Sequence, residues 1–395
     1  MSPRIVVVGI GADGMAGLAQ TSRDELVSAT TVYGSKRQLD LLDDTVTAQR
    51  VEFPSPMLPD LEIALRQATG TVHVVASGDP MMHGIGATLV RLFGAAAVTV
   101  LPHVSCVTLA CARLGWSVPD TEVISVVTRA PHLAVRRGGR AIVLSRNSST
   151  PAELARLLLE TDRGDSRLSV LEQLGGPRER RRDGIARDWA ANPPDDVDAL
   201  NVIAVEYLPD DRMLQTLPDD ALAHDGQLTK QPMRAVTLAA LAPRPGALLW
   251  DVGAGSGSIA VEWCRSGSGC AAVAFERDEQ RRARIAANAR AFGVDIDVRG
   301  SAPECFDGAS VPDVVFIGGG VTQPDLVERC FERLPAGGRL VANAVTAESE
   351  MVLMQWNTRI TGELRRYQHY RGEPLGGFTG WRPAMPVTQW IVVKP

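Results

Sequence analysis

The chain has no Cys-x-x-Cys pair, no apolar run of membrane-spanning length and no excess of positive charge. Each absence removes a class of function. The six cysteines (Cys106, Cys111, Cys264, Cys270, Cys305 and Cys330) have no histidine partner at metal-ligand spacing. They read as buried thiols in a reducing cytoplasm, so no metal site is expected. Met1-Ser-Pro-Arg4 leads into only about six apolar residues, far short of a span, and neither a signal peptide nor a membrane is expected. A net charge of −5 argues against nucleic acid as a partner, because phosphate backbones demand clustered positive charge. A serine-hydrolase elbow is also missing, since Gly255-Ser-Gly257 is the wrong frame for G-x-S-x-G.

What is present is ordinary globular material: 395 residues, 45% hydrophobic and 22% charged, enough for two or three domains. Continuous apolar runs predict strands at 4–10, 71–76, 97–101, 122–127, 140–145, 168–174 and 201–207. Runs of this kind suit strands covered on both faces, with crossover helices such as 151–160 between them. Residues 209–227 are rich in acids and turn formers and read as a linker between a domain at 1–208 and one at 228–395. After it, Thr229 reads as a helix N-cap with Pro232 in the first turn. Strands are then expected at 247–252, 271–275, 295–299, 313–317 and 339–343, with a late antiparallel pair near 364–369 and 386–393. The halves show no close repeat, so they read as different α/β domains.

Each half opens on a glycine-rich loop. Asp251-Val-Gly-Ala-Gly-Ser-Gly257 follows one strand, and Glu276 ends the next, at the spacing of a ribose-binding carboxylate. The pattern is G-x-G-x-G, which suits the aminoacyl end of S-adenosylmethionine (SAM) better than a pyrophosphate. Gly300-Ser-Ala-Pro-Glu304 sits where an adenine turn belongs, and Phe316-Ile-Gly-Gly-Gly320 leaves room for a bulky substrate. Gly9-Ile-Gly11-Ala-Asp-Gly14 matches the dinucleotide fingerprint literally. An oxidoreductase using Gly9–Gly14 is therefore the alternative reading. Against it, the chain reaches Thr31-Val-Tyr-Gly34 with no acid for a ribose. A scaffold that only senses SAM is a third reading, disfavoured by the number of strand-end loops.

Val6-Val-Val-Gly-Ile-Gly11, Ser77-Gly-Asp-Pro80 and Ser105-Cys106 before Leu109-Ala-Cys-Ala-Arg-Leu-Gly115 together resemble the tetrapyrrole methylase family. The C-terminal half, from Leu228-Thr-Lys230 through Glu276 and Ala302-Pro-Glu304, is similar to the decarboxylating methyltransferases that partner it. The resemblance implies a two-lobed class III methyltransferase domain followed by a Rossmann-like class I domain. It further implies a bifunctional SAM enzyme of cobalamin (corrin) biosynthesis, homo-oligomeric and cytoplasmic, acting on a polycarboxylate tetrapyrrole. The first domain would methylate C5; the second would methylate C15 and remove the carboxylate of the ring C acetate arm. Carried over residue by residue, the first SAM would lie against Ala12, Ser77, Gly78, Asp79, Met82, Ser105, Cys106 and Leu174. The second would contact Thr229, Gly253, Ala254, Gly255, Ser256, Gly257, Glu276 and Ala302.

Carbon methylation needs proximity and orientation more than a nucleophile–base pair, and the sequence shows no such pair. Decarboxylation would be assisted by a proton donor or a positive field. Arg382, His369 and Lys230 lead the candidates, with Glu304, Tyr367 and Tyr370 behind them. Arg178, Arg180, Arg181 and Arg182 form a run read chiefly as a solvated loop face and secondarily as a site for substrate carboxylates. Arg281, Arg282, Arg284 and Arg290 read as surface charge, and His83 as a guard of the first methyl site or a plain surface histidine.

Overall fold

The computed structural model describes residues 3–210 and 216–395. Residues 1–2, and 211–215 within the expected linker, lie outside the described residues. The chain forms two compact units, Met1–Ala134 with Gly138–Pro209, and Val135–Arg137 with Asp210–Pro395.

In the first unit, β1 (Arg4–Ile10), β2 (Thr31–Gly34), β3 (Gln49–Glu52), β4 (Thr71–Ser77) and β5 (Val98–Leu101) make a parallel sheet ordered β3-β2-β4-β1-β5. Alternate residues of β1 enter opposite cores: Val6 and Val8 pack on one face, Ile5 and Val7 on the other. That two-sided burial is why the run is continuously apolar, each side chain contributing about 1.5–3 kcal/mol. The second lobe holds β6 (Glu122–Ser125), β7 (Arg140–Leu144), β8 (Arg167–Glu172), β9 (Arg180–Ile185) and β10 (Asn201–Glu206), ordered β6-β7-β10-β8-β9. Only β6 and β7 pair in parallel; the other pairs are antiparallel.

The strand order decides between the readings of the first loop. A dinucleotide fingerprint needs the acid-bearing second strand beside the first. Here β4 lies between β1 and β2, so a residue ending β2 is two strands away from the glycine loop. The oxidoreductase alternative has no structural footing.

The arginine run is a correction. Arg180, Arg181 and Arg182 open edge strand β9, paired antiparallel with β8, and only Arg178 precedes it; Arg180 bonds buried Glu172 and exposed Asp196, and Arg182 pairs with the same two acids. Acids of this unit thus satisfy those two arginines, while Arg181 pairs with Asp183.

The second unit carries β11 (Leu248–Val252), β12 (Ala271–Phe275), β13 (Ile296–Arg299), β14 (Val314–Ile317), β15 (Arg339–Ala344) and β16 (Glu363–Tyr367). An exposed hairpin of β17 (Tyr370–Leu375) and β18 (Phe378–Pro383) follows, then β19 (Val387–Val393). The main sheet is ordered β13-β12-β11-β14-β15-β19-β16, with β19 antiparallel to both neighbours. The late strand pair is therefore present, but the β17–β18 hairpin is inserted within it.

Residues 216–227 behave as part of this unit and not as a free tether. Leu217 and Leu222 are buried against Val261 and Phe292, and Asn288 bonds both the N–H and the carbonyl of Ala223. The helix Gln231–Leu241 starts one residue later than expected, with Lys230 at the N-cap position. Thr229 is no cap; Asp219 instead reaches across to accept the Gln231 N–H at 2.9 Å. No helix among the described residues is long and apolar enough to cross a membrane.

Candidate active sites

Within the first unit, the loops after β1, β4 and β5 face residues of β7, β8 and β10 across a cavity of about 290 Å³. The loops approach closely because Gly9 has no side chain: a Cβ there would lie 2.1 Å from the Gly78 carbonyl oxygen and 2.7 Å from the His103 nitrogen. The Gly78 N–H in turn donates to the Ile10 carbonyl at 2.9 Å, which ties the β4 loop to β1.

Of the residues expected against the first SAM, Ala12, Ser77, Gly78, Met82, Cys106 and Leu174 line this cavity. Asp79 and Ser105 do not. The Asp79 carboxylate accepts the Met81 N–H at 2.8 Å within its own turn, and the buried Ser105 hydroxyl caps helix Cys106–Leu114 by accepting the Thr108 N–H at 3.0 Å. Both side chains shape the wall from behind. Burial pushes the Cys106 thiol up, so it stays protonated.

Four polar wall residues escaped the sequence reading: Arg37, Gln38, Ser145 and Asn201. Arg37 and Gln38 donate to the Ser77 hydroxyl at 2.5 and 2.8 Å. Ser145 Oγ and Asn201 Oδ1 are buried and have no hydrogen-bond partner among the described residues. Asn201 Nδ2 donates to the carbonyls of Asp198 and Asn147, so its oxygen is the atom left for a ligand's N–H or O–H. A mostly apolar cavity with a few converging polar atoms suits a nucleoside-bearing ligand such as SAM.

In the second unit, Gly253, Gly255 and Gly257 all hold left-handed φ angles of +60 to +75°, which an L side chain resists. A Cβ on Gly253 would meet Gly319 at 2.8 Å, so the loops after β11 and β14 touch backbone to backbone. Glu276, buried at the end of β12, accepts the Gly255 N–H at 2.8 Å and the Asp278 N–H at 3.0 Å. Its two oxygens retain lone pairs for the two ribose hydroxyls, and the cradle fits the aminoacyl and ribose parts of SAM. Gln227 passes 3.9 Å from the Cβ position of Gly255, which brings Thr229 toward the same loop. Ala302 follows β13, one strand beyond β12.

Behind the loop, Asp251 is fully buried; Oδ2 accepts the Ala260 N–H at 3.1 Å and Oδ1 has no partner. Burial, reinforced by nearby Glu276, pushes its carboxyl up to about 7. Because the native state then holds the proton more tightly than the unfolded chain, stability is lost as pH rises from about 4 through 7. The upper bound of that loss is about 4 kcal/mol. Asp251→Asn is expected to flatten the pH dependence of the second unit's thermal unfolding between pH 5 and 8. An unchanged slope in calorimetry would place the titrating group elsewhere.

Among the described residues, none of the three leading decarboxylation candidates is hydrogen-bonded to this loop. Lys230 lies half-exposed, 3.8 Å from Asp219. Arg382 sits on the exposed hairpin, paired with Glu373 at 3.1 Å, and His369 precedes it at the turn from β16. β16 is four strands from β11, or about 19 Å at ordinary strand spacing. A buried polar network near the end of β15 is one the sequence reading missed. Asn343 follows Ala342, the partner of Ile317 on β14, donates to Thr237 Oγ1 at 3.0 Å and accepts from fully buried Gln389 at 3.0 Å. Its only sequence signal was an asparagine closing an apolar run.

Comparison with known proteins agrees with this architecture. Residues 4–188 match the family described as tetrapyrrole (corrin/porphyrin) methylases, and residues 220–394 match the precorrin methyltransferase domain. A precorrin-6Y C(5,15)-methyltransferase (decarboxylating) of Mycobacterium tuberculosis is 69% identical over 99% of this chain and 100% of its own length. One from Sinorhizobium is 43% identical over 100% of this chain and 97% of its own. The crystal structure of the C-terminal domain of the Rhodobacter capsulatus enzyme is 45% identical, covering 46% of this chain and 100% of that one, with a TM-score of 0.44. The chain belongs to the family of precorrin-6Y C(5,15)-methyltransferases (decarboxylating).

Proposed function

We propose that this chain is a bifunctional C-methyltransferase of cobalamin biosynthesis with two SAM sites, one per unit. Its substrate is a polycarboxylate corrin precursor, precorrin-6B, for which the relatives' names give precorrin-6Y, and its product is precorrin-8X. The cavity of the first unit serves C5. The Gly253–Gly257 loop serves C15 and the loss of the ring C acetate carboxylate. The observation that carries the second assignment is the Glu276 carboxylate already engaged with the Gly255 N–H in a loop where backbone crowds backbone. SAM supplies an electrophilic methyl group; the protein supplies position, exclusion of water and a fixed orientation.

Proton accounting separates the two reactions. At C15, methylation leaves one hydrogen to be lost, and loss of carbon dioxide leaves an electron pair on a CH₂ carbon that must gain one. The two changes balance, so the site consumes no net proton and needs only a group or a water that carries one from C15 to the CH₂ carbon. The family resemblance implies self-association, and Leu375, Phe378 and Trp381 of the hairpin are exposed.

Glu276→Ala in the full chain tests the assignment. SAM binding at the second site is expected to weaken at least tenfold, since each hydrogen bond to a charged group is worth about 1.5–3 kcal/mol. Product mass should then show neither C15 methylation nor loss of carbon dioxide. Retention of wild-type affinity for two SAM molecules would remove Glu276 from the site.

A further inference from the structure

C5 methylation has no carboxylate leaving in step, so its proton must go to the protein or to solvent. We infer that His83 is the proton acceptor of the first methyl site; this rests on the assignment of that cavity to C5 methylation.

The transfer forms a C5–CH₃ bond with a π pair of the macrocycle, while the pair of the broken S–CH₃ bond stays on sulfur. C5 is then tetrahedral, bearing both hydrogen and methyl, and conjugation across it is interrupted. Conjugation returns when the C5–H bond breaks, its pair re-entering the ring and its proton passing to the imidazole. The exposed ring then releases that proton to water.

The turn around His83 is built to display it. Its backbone holds φ +53°, a left-handed conformation that a non-glycine residue rarely adopts. The neighbours enforce it. Asp79 accepts the Met81 N–H through its side chain and the Met82 N–H through its carbonyl. Gly84 and Gly86 fold so tightly onto Pro80 that a Cβ on either would lie within 2.8 Å of the Pro80 oxygen. The resulting loop puts His83 on the cavity wall beside Met82, and among the described residues its ring has no polar partner.

The other groups near the cavity do not meet the requirement. Arg37 has no lone pair to offer, the Cys106 thiol is pushed up by burial, and Asp79 does not line the cavity, its Oδ1 accepting the Met81 N–H within the turn. His103 is not on the wall: it lies behind Gly11, largely buried, with Nε2 turned to Asp13 at 3.5 Å.

The test is His83→Asn in the full chain, asparagine being a residue that tolerates the left-handed backbone. The kcat for C5 methylation should fall about 10²–10⁴-fold, the usual worth of a general base. The KM for SAM should stay within about twofold. C15 methylation and decarboxylation should continue at the wild-type rate, reporting an intact fold. Stopped-flow absorption should reveal the interrupted chromophore building up, and added imidazole should restore part of the rate.

A wild-type C5 rate in the variant overturns the inference. So does a loss of first-site SAM affinity in proportion to the rate, which would mean packing alone. Loss of C5 methylation in His103→Asn with SAM binding intact would also overturn it, moving the acceptor to that ring. A wild-type chain that binds one SAM, or forms no C5-methyl product, would instead defeat the underlying reading of the cavity.

Discussion

Arg234→Ala is expected to lower the stability of the second unit by about 3–5 kcal/mol, the cost of stranding one member of a buried ion pair. Arg234 is completely buried. Its guanidinium bonds Asp219 at 2.7 Å, Glu262 at 3.4 Å, the Thr229 carbonyl at 2.6 Å and the Leu217 carbonyl. Glu262 is equally buried, and burial already pushes its carboxyl up against the opposing pull of the Leu217 N–H, Arg265 and Arg234. Truncation removes part of that pull and leaves two carbonyls without a donor. For a unit of this size the change corresponds to a fall of roughly 6–20 °C in its unfolding temperature.

Function should follow stability in this case. Arg234 fixes both ends of the segment that carries Thr229 past the Gly255 loop, so second-site SAM binding should weaken along with the fold. Arg234→Met with Glu262→Leu removes the buried carboxylate but leaves the Leu217 N–H and Arg265 without their acceptor, and should recover only part of the loss. Calorimetry reads both variants directly. A change below about 1 kcal/mol in Arg234→Ala would show that the network contributes little beyond geometry.

What the sequence disclosed and what it hid follow from the same physics. β1, β4, β11 and β12 are apolar throughout because both faces are covered, and they were legible to within a residue or so. β3 (Gln49-Arg-Val-Glu52) and β9 lie at sheet edges, where polar side chains meet solvent, and their composition reads as loop. β17 and β18 escaped for a related reason: they form a solvated ribbon outside the main sheet.

The glycine loops and Glu276 were legible because their chemistry is local, a strand end and a turn with a fixed requirement on φ. Ser145 and Asn201 were not. Each becomes a candidate ligand only because another strand or loop, 50 or more residues away, places a partner or a cavity against it. Asp79 and Ser105 show the converse. They belong to legible motifs, yet their side chains serve the turn and the helix cap, and the cavity is lined by their neighbours.

The sharpest test of the first site is Gly9→Ala. One methyl group is expected to weaken first-site SAM binding more than a hundredfold while leaving the second site untouched. The added Cβ would sit 2.1 Å from the Gly78 oxygen, 2.7 Å from the His103 nitrogen and 3.1 Å from the His103 Cβ. Two of these are backbone atoms of the loops after β4 and β5, so no side-chain rotation relieves the contact. The loops must part, and Gly78 then loses its bond to Ile10. Overpacking of this kind costs about 1–3 kcal/mol or more, concentrated where the cavity is formed. Gly11→Ala is the control. Its Cβ would approach Asp13 Oδ1 at 2.4 Å and His103 Nε2 at 2.7 Å, both side-chain ends that can swing aside, and a loss of tenfold or less is expected. Equilibrium dialysis on the full chain distinguishes the two. Gly9→Ala is expected to bind one SAM per chain and the parent, on the proposed reading, two; retention of both at parental affinity would mean that the close approach of the three loops does not build the site.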